Sequence, residues 1–338
     1  MDVQSRSQRL HLLLLLLLKK RLLPPPNGLY FGAFPDLSGS EDDVTPKRLD
    51  DFLQLSQRKP IWVYFSQNWM DGIVFPKASV ECIRAWVAIP FIRLMNRSSL
   101  ESYQKEEVFS LEKIASGQFD PQLRAWARDA KAAGIPMLVE FGTEVNGDWF
   151  GWSGVWNGGA KGAERFKDAY RHIVSLFREE GADNIAWCFH VDASSVPEES
   201  WNNMKAYYPW DAWVDWIGVS IYGSQSISEE CIEFQKRFDD FYRELCEISS
   251  EKSLGIFEFG VIEGAAPVSK HQWLEQLFSA FEAGRYPRIK AISAWHERFE
   301  DNGEVVDPRI DSSSDVLDLW RRKMKSPIFV NEAVFSGM

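Results

Sequence analysis

The chain has 338 residues, 45% of them hydrophobic, which is enough for one large core. Its 49 acidic residues against 38 Lys and Arg give a net charge of −11. That balance argues against nucleic acid or an anionic membrane surface as partner and is compatible with a neutral substrate. The four cysteines, Cys82, Cys188, Cys231 and Cys246, form no CxxC pair and have no histidine at ligand spacing. They read as free thiols, with Cys231 and Cys246 on one helix too far apart to bridge, and neither metal nor cofactor is expected.

At the N-terminus Arg6 and Arg9 precede an apolar run, 10–18, broken only by His11 and followed by Lys19, Lys20 and Arg21. The run fits a signal-peptide core and is too short to span a bilayer, yet no small-residue cleavage site follows. Pro24, Pro25 and Pro26 make a stiff linker. Residues 1–27 therefore read either as an export or anchoring signal, placing the protein outside the cell or at its surface, or as a leader of a cytoplasmic protein. A single domain is expected over 28–338, acting as a monomer.

From there strands and helices alternate. Strands are expected at 29–34, 61–65, 90–95, 137–141, 184–191, 213–221, 254–259 and 289–295. Thr45-Pro46 supplies an N-cap and first-turn proline for a helix carrying Leu49, Phe52 and Leu53. Further helices are expected over 78–87, through Leu123, Trp126 and Ala130 to a stop at Gly134, and from Phe166 to Phe177 before Gly181. Phe234, Phe238, Phe241, Leu245 and Ile248 mark another, followed by one through Trp273 and Phe281 and a last one over 316–324. Eight strands alternating with helices predict a (β/α)₈ TIM barrel, with a doubly wound sheet as the rival. No glycine-rich loop follows the first strand, which disfavours a nucleotide site.

In such a barrel chemistry collects at the C-terminal ends of the strands. The fourth strand runs into MLVEFGTEVNGDWFGW, where Glu144 stands beside Asn146, Trp149 and Trp152. Indole faces suit the C–H faces of sugar rings. Glu258 lies in GIFEFGV, an otherwise uncharged strand, where an acid is costly unless paired or functional. Other strand ends offer Trp69, Arg93, Glu140, His190, Asp192, Ser220, Tyr222 and Trp295. His190 and Asp192 read equally as sugar contacts or core hydrogen-bond partners, and Trp152, Trp156 and Trp187 as platforms or packing. Two carboxylates facing each other in an aromatic groove are the equipment of glycoside hydrolysis.

The segments TEVNGDWFGW, IFEFG and SIYG resemble glycoside hydrolase family 26, within the clan of retaining (β/α)₈ glycosidases. The resemblance implies that Glu144 is the acid/base and Glu258 the nucleophile. It also implies that Tyr222 holds the nucleophile, that Trp295 floors the sugar site, and that Trp149 is the motif's aromatic. The implied activity is endo-hydrolysis of a β-linked polysaccharide, mannan by default, with certain glucans and β-1,3-xylan also known in the family. Three positions depart from the pattern. Thr143 replaces a His, Glu140 an Arg, and Ser220 an Asp, which leaves the sugar open. The alternative is a carbohydrate-binding protein of the same fold without catalysis.

Three geometric expectations follow. The two catalytic carboxyls should lie about 5–5.5 Å apart. Glu140 should form a hydrogen-bonded ion pair with Arg93. Glu258 should accept a hydrogen bond from Tyr222 and stay ionised, while Glu144 holds the proton.

Overall fold

The computed structural model describes residues 21–301 and 303–336. The apolar run at 10–18 lies outside them. Eight parallel strands close into a barrel: β1 (Tyr30–Phe34), β2 (Trp62–Asn68), β3 (Ile89–Met95), β4 (Met137–Phe141), β5 (Ile185–Asp192), β6 (Trp216–Tyr222), β7 (Ser253–Gly260) and β8 (Ile289–Trp295), with β8 pairing back onto β1. This is the (β/α)₈ barrel, and the doubly wound alternative is excluded. Among the described residues the α-helices are α1 (Pro46–Ser56), α2 (Lys77–Ala85), α3 (Leu111–Ala115), α4 (Asp120–Ala133), α5 (Ala160–Glu179), α6 (Phe234–Ile248), α7 (Lys270–Glu282) and α8 (Ser314–Lys323).

Local signals explain most boundaries. Thr45 caps α1 by accepting from the Arg48 amide, with Pro46 at the first position. Gly134 ends α4 in the left-handed conformation, at φ 65°. Ser269 and Gln272 form a reciprocal capping box at α7. Two expectations need correction. No α-helix separates β5 from β6, only a 3₁₀ turn at Met204–Tyr207. Cys231 lies in a two-residue strand ahead of α6, not on the helix with Cys246, though all four cysteines are free. Leu22 and Leu23, grouped by sequence with the leader, pair with Val334 and Phe335 across the bottom of the barrel. Among the described residues no helix is long and apolar enough to cross a membrane.

The barrel interior is built in layers. Trp62, Phe91 and Phe257 meet edge to face, with ring centroids 5.0–6.4 Å apart. Phe257 fits because its neighbours are glycines: a Cβ on Gly218 would lie 1.8 Å from its ring. Above this apolar plug, toward the C-terminal ends, comes a polar layer of Tyr64, Arg93, Glu140, His190 and Ser220. All five are buried.

Candidate active site

Strand alternation alone would put Phe257 and Glu258 on opposite faces of β7. The pairing shows otherwise. Val219 pairs with Ile256 but Ser220 with Glu258, and on the other side Ile292 pairs with Ile256 but Ala294 with Phe259. One extra residue on β7 makes a β-bulge at Phe257 and Glu258. The Phe257 ring meets His190, Trp62 and Phe91 inside the barrel, and Glu258 also points inward, one step nearer the mouth.

Glu144 is placed by a strained turn. Gly142 follows β4 at φ 64°, where an added Cβ would lie 2.5 Å from the Phe166 ring. Glu144 itself adopts φ 50°, a left-handed conformation that a non-glycine side chain takes only under constraint from its surroundings. The constraint is visible: the half-buried Trp149 donates its indole N–H to Glu144 Oε2 at 2.7 Å. The ligating atoms of Glu144, His190 and Glu258 all lie within 4.8 Å of one another. The two carboxyl groups therefore approach as closely as a retaining pair requires. The same three groups converge as a cation site would, but both ring nitrogens of His190 already have partners.

Glu258 is 4% exposed and richly contacted. Tyr222 donates to its Oε2 at 3.0 Å, as expected. Tyr64 reaches its Oε1 at 3.3 Å, and Arg93 Nη2 lies 3.7 Å from the same oxygen. Arg93 Nε also faces Glu140 Oε1 at 3.7 Å, and Nη1 faces Glu41 at 4.0 Å. The Arg93–Glu140 ion pair is thus present, but without the direct hydrogen bond anticipated. Glu140 takes its hydrogen bonds from Tyr64, at 2.5 Å, and His190 Nδ1, at 3.0 Å.

The expectation that Glu258 simply stays ionised is corrected. Burial pushes its pKa up to about 7, with Arg93 and His190 pulling it down and Glu144 and Glu140 adding to the rise. Tyr64 and Tyr222 are pushed well above the usual phenol range, chiefly by burial, and so remain donors. For His190, burial opposes the charge most strongly, but Glu140, Glu258 and Glu144 together outweigh it and the net shift is upward.

The remaining sequence candidates divide. Trp295 sits at the mouth, 6% exposed, with one face stacked on Phe34 at 3.8 Å and Arg93 5.1 Å from its ring centre. Ser220 is buried and meets His190 Nε2 at 2.9 Å. Asn146, Trp152 and Trp69, the other residues offered for substrate contact, are buried and make contacts within the scaffold. The Asn146 amide donates to Asp192 O and accepts from Asp192 N, both at 2.8 Å, fastening the β4 loop to β5. Trp152 stacks on Phe150 and donates to Thr143 O. Trp69 is fully enclosed by neighbours including Phe109 and Phe141. Sequence reading missed Tyr64, whose signal was its place between Trp62 and Ser66 on one face of β2.

Residues 103–270 match the family described as glycosyl hydrolase family 26. The chain belongs to that family. Endoglucanase H of Acetivibrio thermocellus is 26% identical over 298 residues, covering 87% of this chain but 30% of that protein. A β-1,3-xylanase of a Vibrio species is 28% identical over 116 residues, 34% of this chain and 23% of its own. The chain thus spans less than a third of either relative. The structure of a β-mannanase from Bacteroides ovatus superposes with a TM-score of 0.64 at 17% identity, over 95% of this chain and 94% of that one, the same fold.

Proposed function

We propose that this family 26 protein hydrolyses a β-linked polysaccharide with retention of anomeric configuration. The observation that carries the reading is the approach of Glu144 and Glu258 to within 4.8 Å, one held by Trp149 and the other by Tyr222. In this reading Glu144 protonates the leaving oxygen while Glu258 attacks the anomeric carbon. Glu144 then takes a proton from the water that releases the sugar. Arg93, Tyr64 and Tyr222 aim the attacking oxygen. The relatives are named for action on glucan, β-1,3-xylan and mannan, and mannan is the first substrate to test.

The test is hydrolysis of soluble mannan, glucomannan, mixed-linkage glucan and β-1,3-xylan, with the product anomer read by NMR. Retention is expected, and inversion or inactivity on every glycan overturns the proposal. With an activated aryl glycoside, azide should rescue Glu144→Ala as a β-glycosyl azide. Rescue of Glu258→Ala to the β-azide, with Glu144→Ala giving the α-azide, would reverse the two roles.

A further inference from the structure

Glu140 is a third glutamate, directly beneath the reacting pair, and it is completely buried. Its partners are also those of Glu258. Tyr64 OH donates to Glu140 Oε1 at 2.5 Å and lies 3.3 Å from Glu258 Oε1. Arg93 stands 3.7 Å from each carboxylate. His190 bonds Glu140 at 3.0 Å through Nδ1, and its ring lies within 4.8 Å of the Glu144 and Glu258 oxygens. His190 can hold a proton on both nitrogens or on one without losing a partner. Nδ1–H donates to Glu140 in either state, and the Ser220 hydroxyl at 2.9 Å rotates to accept from Nε2–H or to donate to bare Nε2.

We propose that Glu140 and His190 form a buried ion pair that positions the nucleophile: Glu140 anchors Tyr64, Arg93 and His190, Tyr64 and Arg93 aim Glu258, and the charges of Arg93 and His190 favour its ionised form against burial. The inference deepens the glycosidase reading and rests on it. Its physical reason lies in the charge movement of the reaction. When Glu258 becomes an ester its negative charge disappears, and Arg93 would lose a counter-ion in a dry site. Glu140 keeps Arg93 and His190 paired throughout, so the site does not have to rearrange between the two half-reactions. The charged and titratable groups facing His190 are Tyr64 from β2, Arg93 from β3, Glu140 and Glu144 from β4 and its loop, Asp192 from its own strand, and Glu258 from β7. Acids dominate this set, which favours the imidazolium.

Two readouts test this, and the first needs no activity. NMR of the His190 imidazole in the free protein should show it charged well above pH 6.5, the ordinary histidine value. Glu140→Gln should bring that titration down by at least about one pH unit. A neutral His190 at pH 6, or a titration unmoved in Glu140→Gln, overturns the ion pair. The second readout is kinetic. His190→Gln, shown folded by circular dichroism, should lower kcat at least about tenfold with KM little changed. It should also move the acid limb of kcat/KM upward, because Glu258 loses a cation. Adding Glu140→Gln should bring that limb back down, because a repelling carboxylate is then gone as well. A fall in His190→Gln carried by KM, or with an unmoved acid limb, overturns the positioning role. Inactivity of the unsubstituted protein on every glycan would count against the glycosidase reading and leave the NMR result to judge the pair.

Discussion

β7 and β8 are neighbours, and each carries a buried glutamate at or just beyond its end. Glu258 and Glu297 are 4% and 2% exposed, and burial pushes the pKa of each up to about 7. By burial and titration alone they are indistinguishable. Their partners separate them. Glu297 Oε1 accepts from the backbone amides of Leu37 and Gly39, so it is a clasp on the loop after β1. Glu258 faces only side chains, Tyr222, Tyr64 and Arg93, and across a short gap another carboxylate. A perturbed carboxyl is a candidate for chemistry when its surroundings are movable charges and protons, and a structural brace when they are fixed amides.

The sharpest way to break this comparison is to neutralise each acid in turn. Glu258→Gln should reduce kcat on a β-glycan by about 10⁴-fold or more, since it removes the attacking group. Glu297→Gln keeps an oxygen for the two amides and should stay within about tenfold of the parent. If the two losses are equal, partner type does not distinguish the roles.

Glu144 comes next. Glu144→Ala should cost about 10²- to 10⁴-fold on substrates with poor leaving groups and far less on activated aryl glycosides. A loss independent of leaving group would assign it a binding role. Tyr222→Phe removes one hydrogen bond to the nucleophile and should cost about tenfold in kcat, in line with about 1–1.5 kcal/mol. An effect confined to KM would make Tyr222 a sugar contact instead.

The pH dependence follows from the direction of the Glu258 shift. The group must be ionised to attack, so kcat/KM should fall as pH drops through about 7. Stability runs the opposite way. A carboxyl whose pKa rises from 4.5 to about 7 on folding contributes most below pH 4.5, and that contribution is lost as pH rises through 7. Glu258→Gln, which cannot ionise, should therefore stabilise the protein at pH 8 by up to about 3 kcal/mol and little at pH 4.5. Urea midpoints at the two pH values measure this, and an equal change at both would place the effect in packing. Glu297→Gln should show the same sign, so that both substitutions stabilise while only one abolishes turnover.

Much of this was legible in the sequence because it is written locally. Thr45-Pro46, Ser269 and Gly134 set helix ends through short-range hydrogen bonds and backbone freedom. Alternation within strands put Glu140 and Arg93 on interior faces. Their nearness followed from neighbouring strands, and the ion pair is there. Tryptophans were less legible. Trp149 and Trp152 stand three residues apart in one loop, yet one holds Glu144 and the other is sealed under Phe150. An indole carries the same signal in a groove and in a core.

By itself, then, the sequence determined the alternation of eight strands with helices and the identity of its two outstanding acids, because periodicity and turn chemistry act over a few residues, while the pairing of β8 back onto β1 closed the barrel. Tertiary structure alone decided how those acids meet. The bulge that turns Glu258 inward beside Phe257 exists because β6 and β8 pair with β7 on either side of an extra residue. Room for the Phe257 ring comes from Gly218, on a different strand. The Asn146 amide bonds the β5 backbone at Asp192. Each of these is a contact between segments distant in the chain, settled by which polar group had to be satisfied and which volume filled when the barrel closed.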